Sequence, residues 1–350
     1  MHPLTLLTIG LVLAPLTLPL DAAQQAPTST PASQAPAAAP TAAANLTQLR
    51  EAAARGDAKA EFELALYFGN TASPDKDDAL AVDWLRKSAE HGFADAQHTL
   101  GMVLLSGGRT LAADPVQAAA WFQKAADQGL AVSQQAMAQL HDAGAGVQQD
   151  SGKAVEWWTK AATQGLAISQ NMLGKAYFDG TGVERNEATA LEWWRKAADQ
   201  GFSPALLNIG LAYSSGRGVE RDDAEALVWW RKGADAGNLT AMNLLGAALA
   251  QGVGAPANMT EATTWWRTAA DRGDPRAQHT LALAHFSGNG VARDLIESYK
   301  WLYIAVTLST GQDQVFYMNV RDSVGTNMSG EDLAEAQKRA REWTDAFNAR

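Results

Sequence analysis

Large apolar and small residues return along this chain at a fixed step. Tryptophan stands at Trp84, Trp121, Trp157, Trp193, Trp229, Trp265 and Trp301, the first step being 37 residues and the next five 36 each. Three residues before each of them is Ala81, Ala118, Ala154, Ala190, Ala226, Ala262 or finally Ser298. Eight residues after the first six come Gly92, Gly129, Gly165, Gly201, Gly237 and Gly273, with Gly56 one period earlier. A small residue follows nine positions beyond each of these seven glycines: Ala65, Gly101, Ala138, Gly174, Gly210, Gly246 and Ala282. Several columns holding one period mean a repeat architecture, and a period of this size suits a pair of helices.

Each unit divides into two helices. Across Asn186–Gly201, Ala190, Trp193, Ala197 and Ala198 fall at helical spacing, and Gly201 supplies the left-handed residue that ends a helix. The starts recur as Asp77, Asp114, Asp150, Asn186, Asp222, Asn258 and Asp294, side chains that accept hydrogen bonds from the free N–H groups of a first turn. Pro115, directly after Asp114, suits the first helical position. The other half, Phe202 to Ser215, carries Ala205, Ile209 and Tyr213 four apart, a single buried stripe. Between the halves lies Gly-x-Gly, at Gly144/Gly146, Gly180/Gly182, Gly216/Gly218, Gly252/Gly254 and Gly288/Gly290. No strand precedes it and no Lys-Ser/Thr follows, so it reads as a tight αα-hairpin turn and not a phosphate loop.

The ends break the pattern. Leu4 to Leu20 is uncharged and Leu-rich, interrupted by Pro15 and Pro19, and Ala22–Ala23 follow. It reads as a secretory signal over residues 1–22, with a retained anchor as the alternative. The Ala/Gln/Pro/Ser/Thr stretch 23–45 reads as a flexible linker. Residues 46–310 form the array, and 311–350 are expected to be a linker followed by a capping helix from about Ser329.

The composite A-x-x-W-W-R-K-A-A-D-Q-G-x-x-x-A-x-x-x-[LI]-G-x-x-Y-x-x-G-x-G-V, seen best in Ala154–Val183, Ala190–Val219 and Ala226–Gly254, resembles the Sel-one-like repeat, a relative of the tetratricopeptide repeat. The segments Ser298–Val306 and Met328–Trp343 resemble terminal pieces of bacterial members. The resemblance implies an all-α fold, an αα-hairpin solenoid wound as a right-handed superhelix of about seven 36-residue repeats with a C-terminal capping helix. It further implies an adaptor or scaffold for other proteins, many such members being periplasmic. The first unit departs from the pattern, with Gly69-Asn70 and Ser73-Pro74 in place of Gly-x-Gly, and reads as a cap.

Composition narrows the chemistry. With no cysteine, a disulfide framework, a thiolate metal site and a Cys nucleophile are excluded. A formal charge of -10 argues against a nucleic-acid partner, which needs a basic footprint. Paired tryptophans, such as Trp193/Trp194, point about 100° apart on a helix and fill different seams, so they read as core. Every histidine after residue 22 has a place in a repeat column and none shows metal-ligand spacing, so no metal and no cofactor is expected. Ser133 and Ser169 stand in the packed small-residue column and are not activated nucleophiles.

One polar column remains: His98, Gln135, Asn171, Asn243 and His279, with Leu207 interrupting. It lies two residues after the packed Ala/Ser column and so points about 200° from it. It is expected to face solvent and to hydrogen-bond a partner protein or peptide on the concave face. The function expected is therefore a non-catalytic interaction scaffold, periplasmic or secreted. A cell-wall or β-lactam hydrolase, as described for Cys-rich relatives, and a secreted factor binding host proteins are the alternatives. The membrane enters only if residues 1–22 persist as an anchor, and the acidic surface favours a partner with basic patches.

Overall fold

The structure is a computed structural model and describes residues 42–70, 73–108 and 110–349. The expected signal segment, and the linker up to residue 41, lie outside the described residues. Those described form seventeen α-helices and no strand. A first helix, α1 (Ala42–Ala54), takes in the last residues of the expected linker. Seven helical hairpins follow: α2 (Ala58–Gly69) with α3 (Asp78–Glu90), α4 (Ala94–Ser106) with α5 (Pro115–Asp127), and α6 (Ala131–Ala143) with α7 (Ser151–Thr163). Next come α8 (Ala167–Asp179) with α9 (Glu187–Ala198), α10 (Ser203–Ser215) with α11 (Asp223–Asp235), α12 (Leu239–Gln251) with α13 (Met259–Asp271), and α14 (Pro275–Ser287) with α15 (Leu295–Leu308). Two further helices, α16 (Gly311–Gly325) and α17 (Gly330–Asn348), close the array. Leu46–Arg350 is one compact unit in which each helix packs chiefly against its neighbours in sequence, as a solenoid requires.

The periodic caps set the boundaries. Asp77, Asp150, Asn186, Asp222 and Asp294 each accept a first-turn N–H in their side chains, as do Asp114 and Asn258. The first helices of five hairpins end on a left-handed glycine, Gly144 through Gly288. The second glycine of each loop has a different cause. A Cβ on Gly182 would lie 2.2 Å from the Ser151 carbonyl oxygen, because the loop sits directly on the first turn of α7. Larger residues would push the hairpins apart.

Three buried columns join the repeats. Leu64, Leu100, Met137, Leu173, Ile209, Leu245 and Leu281 fill the centre. The second residues of the tryptophan pairs, Trp158, Trp194, Trp230 and Trp266, are buried, as expected of packing residues. They sit against the small-residue column so closely that a Cβ on Gly174 would be 2.5 Å from the Trp194 ring. The first residues of the pairs are mostly half-buried and are roofed by lysines three positions on. Lys87, Lys124, Lys160, Lys196 and Lys232 stand 3.7–4.2 Å from the ring centroids of Trp84, Trp121, Trp157, Trp193 and Trp229.

The third column is a buried glutamine ladder. Gln97, Gln134, Gln170 and Gln278 donate to the carbonyls of Ala89, Ala126, Ala162 and Ala270 at the end of the preceding helix, at 3.0–3.2 Å. Gln128, Gln164 and Gln200 donate in turn to the side chains of Gln97, Gln134 and Gln170 at 2.8 Å. These helix-end carbonyls already accept from Gly92, Gly129, Gly165 and Gly273 N, and the ladder gives each a second donor from the next repeat. Leu206 and Met242 occupy this column in the fifth and sixth hairpins, so the ladder is interrupted there.

At the C-terminus, α17 begins at Ser329 as expected, its hydroxyl accepting from the Asp332 N–H. Ala336 and Ala340 press against the last hairpin, Trp343 meets Trp301 edge-on at 5.8 Å, and Arg339 reaches Glu297 at 3.2 Å. The segment 311–325, expected to be a linker, is instead the helix α16. Its buried stripe is only Tyr317 and Val324, seven residues apart, within a polar sequence bounded by Gly311 and Gly325, which conceals it.

Candidate interaction surface

The even-numbered helices α2 to α14 bury one face in the hairpin and turn another outward. The polar column falls at the edge between these faces and not in the middle of the outward one. His98 Nδ1 is 2.9 Å from Ser133 Oγ in the next repeat, and its ring lies 5.3 Å from that of Phe122. Asn171 accepts from Asn208 Nδ2 at 3.0 Å, again in the next repeat, while its carbonyl accepts from the Trp194 indole at 3.1 Å. Asn243 donates to Asp274 Oδ1 at 3.1 Å, one repeat further on. His279 lies against the rings of Phe316 and Tyr317, both at 5.2 Å. Gln135 is half-buried.

The expectation of a solvated column is thus corrected. Asn171 is only 8% exposed, and His98, Gln135, Asn243 and His279 are half-buried. The physical reason is that successive first helices lie side by side, so a direction 200° from the packed alanines points at the neighbouring helix. Burial, outweighing the attraction of Asp95, holds the His98 imidazole below its usual pKa, and burial does the same to His279. These residues link repeat to repeat, with their outer edges at the surface.

The outward face carries a feature that the column analysis missed. Val132 and Ile168 share a repeat position, Leu66, Leu211 and Leu283 share another seven residues on, and all five are 39–54% exposed. Positions seven apart lie on one side of a helix, so these apolar side chains form one strip along the first helices. Gln139 and Lys175 are exposed in the same row. The signal was present in the sequence as large apolar residues at positions the core does not use.

At the end of the strip, α16 contributes exposed Val315, Phe316 and Met318, with Phe316 against His279. An open cavity of about 510 Å³ lies beside it, lined by residues of α12, the start of α14, and the α15–α16 junction, Asn243 and Tyr317 among them.

Elsewhere the ionisable groups of the described residues serve as caps and ion pairs, as in Glu297 with Lys300 and Arg339. Asp114 and Asp150 are held below the usual carboxylate range first by the backbone N–H groups they cap, and Glu187 by hydrogen bonds from Arg185 and Arg217. His141 and His285 fill the tyrosine-like column, each Nδ1 3.3 Å from a loop carbonyl. His91 Nδ1 meets buried Glu61 at 2.7 Å, the first rung of the glutamine column. Among the described residues no group of three or more His, Asp or Glu is placed to hold a metal ion. None of the described helices is long and apolar enough to cross a membrane.

Seven consecutive segments match the Sel1 repeat, at residues 58–93, 94–130, 131–166, 167–202, 203–238, 239–274 and 275–309. A Sel1 repeat protein from Oxalobacter formigenes is 27% identical, with a TM-score of 0.61 over 76% of this chain and 100% of that one. A protective antigen of uropathogenic Escherichia coli strains displaying an SLR fold is 25% identical, with a TM-score of 0.49 over 87% of this chain and 95% of that one. An immunity protein from Pseudomonas aeruginosa is 18% identical, with a TM-score of 0.37 over 69% of this chain and 83% of that one. No curated protein matches the chain. Proteins built of Sel1 repeats are generally protein-interaction scaffolds.

Proposed function

Because the chain belongs to the Sel1 repeat family over residues 58–309, we propose that it is a non-catalytic scaffold of the cell envelope that holds a protein partner along the outward faces of α2 to α14. The observation that carries this reading is the strip of exposed apolar side chains, Leu66, Val132, Ile168, Leu211 and Leu283, repeated in register on one side of the array. Isolated exposed leucines are ordinary, but apolar residues recurring at two repeat positions offer a partner a series of contacts, densest over α6, α8 and α10 and interspersed with Gln139 and Lys175. The outer edges of His98, Gln135, Asn171, Asn243 and His279 border the strip and supply hydrogen-bonding groups beside it. Export rests on residues 1–22, read from sequence.

The test is crosslinking capture of the partner from the native envelope by the full chain. Ile168→Glu combined with Leu211→Glu should lower capture at least about tenfold, as expected when charges enter an apolar contact. Val228→Glu, on α11 and equally exposed, should not. Unchanged capture by the first variant, with both melting as the parent does, rejects the assignment of this face.

A further inference from the structure

The cavity at the C-terminal end of the strip is built unlike the rest of the outward face. Its lining includes the apolar Leu244 and Leu308 and the ring of Tyr317. Its charged lining residues are Asp274, Asp313 and Arg276. Tyr317 is 5% exposed, lines the cavity, and its hydroxyl makes no hydrogen bond among the described residues. The ring is thus packed away while the hydroxyl opens on the cavity with no partner from the described residues, free to bond what enters it.

The carboxylates are available as well. Asp274 Oδ1 is occupied, capping Ala277 N at 2.7 Å and accepting from Asn243, which leaves the second oxygen open. Asp313 makes no ion pair among the described residues, and neither does Arg276, which is exposed at the rim. Two carboxylates, one phenol oxygen and one guanidinium leave the cavity with an excess of acceptors and of negative charge.

We infer that this cavity receives a cationic side chain, a lysine or arginine of the partner, its stem laid on Leu244, Leu308 and Tyr317 and its charged head between Asp274 and Asp313. The inference rests on the scaffold reading above and names what the partner inserts at the end of the strip. Long basic side chains suit such a site, because their methylene stems cover apolar surface while the head pairs with carboxylates. The Tyr317 phenol is held above its usual pKa, first by burial and then by Asp313, so it stays protonated and its oxygen accepts from the incoming cation. Arg276, exposed at the rim, repels an incoming cation, and its removal deepens the negative field of the cavity.

The test uses the full chain with 13C-labelled tyrosine; the chain has 6 tyrosines, and Tyr317→Phe assigns the relevant ring signal. The probes are N-acetyl-arginine amide and N-acetyl-lysine amide, with N-acetyl-norleucine amide and N-acetyl-glutamate amide as neutral and anionic controls. Both cationic probes should shift the Tyr317 signal saturably, with Kd of about 1–10 mM, as befits a single side chain. Asp313→Asn should weaken them about tenfold and Arg276→Gln tighten them several-fold. Absence of a saturable shift, an equal response to norleucine amide, or no effect of Asp313→Asn in a variant that melts normally would each overturn the inference. If capture still depends on Ile168 and Leu211 while the cationic probes fail, only the cavity assignment falls. If the probes bind while capture ignores the strip, the scaffold surface is what has been misplaced.

Discussion

Adding one methyl group at position 174 should unseat an indole from the core. A Cβ there would stand 2.5 Å from Cδ1 and Nε1 of Trp194 and 3.1 Å from the Ala190 carbonyl. Carbon contacts are comfortable at about 3.5–4.0 Å, so the ring must retreat by roughly 1 Å. Trp194 is buried with the Phe178 ring 5.1 Å from its own, and the retreat breaks its 3.1 Å bond to the Asn171 carbonyl. Overpacking costs about 1–3 kcal/mol and the lost buried bond about 1 kcal/mol more. Alanine over glycine inside a helix returns about 1 kcal/mol. Gly174→Ala should therefore destabilise by about 1–3 kcal/mol.

The same repeat column supplies the compensating change. Ala65 and Ala282 stand where the partner column holds Leu85 and Leu302. Trp194→Leu alone should cost about 2–3 kcal/mol through the cavity it leaves, and the double variant should cost at least about 1 kcal/mol less than the sum. Ala138 is the one alanine set opposite a tryptophan, Trp158, so the pairing can be built when neighbours re-seat, and the cost is not expected to unfold a repeat. Urea unfolding followed by circular dichroism measures the shift. Hydrogen exchange in α8 and α9 localises it, because stacked repeats need not melt all at once. Additivity of the two changes within about 0.5 kcal/mol would refute the close-approach argument.

Three further outcomes follow from the seams. Gln170→Leu, which copies Leu206, should alter stability by less than about 1 kcal/mol, whereas Gln170→Ala leaves a cavity in the seam and should cost about 2–3 kcal/mol; equal effects would count against close packing of this column. Asn171→Ala strands the Asn208 amide at a repeat seam and should cost about 1–2 kcal/mol in urea unfolding, where a free solvated side chain would cost nothing. Burial holds His98, His279 and His285 below their unfolded pKa of about 6.5, so the unfolded chain binds more protons on acidification. Stability from this source is complete above about pH 6.5 and is lost as pH falls through the lower folded values. The thermal midpoint should fall between about pH 7 and pH 5, and His279→Gln should shrink the fall; a flat profile would contradict the burial argument.

The hairpins were legible because their signals are local and chemically narrow. Asp or Asn at each second-helix start and glycine at each hairpin turn recur at a fixed step, and Ser329 marked α17 in the same way. What sequence left hidden depends on how helices sit beside one another. Column arithmetic gave the direction of Asn171 from its own helix, but not the neighbouring helix that lies in that direction. The strip of Val132, Ile168, Leu211 and Leu283 was overlooked for the opposite reason, its residues looking like core by type alone. The α16 helix escaped because two buried positions in fifteen residues leave almost no periodic trace. The cavity it forms with α12 and α14 could not be read from any single repeat.

The interruption at Leu206 and Met242 has a mechanical consequence. Through Gln97, Gln134 and Gln170 the repeats are riveted by directional bonds that resist sliding. At the next two steps that buried ladder is replaced by the apolar side chains of Leu206 and Met242, the polar links left being nearer the surface, such as Asn208 with Asn171 and Arg231 with Glu261, and apolar contact tolerates small displacements with little loss. Tension from a molecule clasped at both ends of the row would gather there, so the array yields midway between Gln170 and Gln278 while its flanks move as stiff arms.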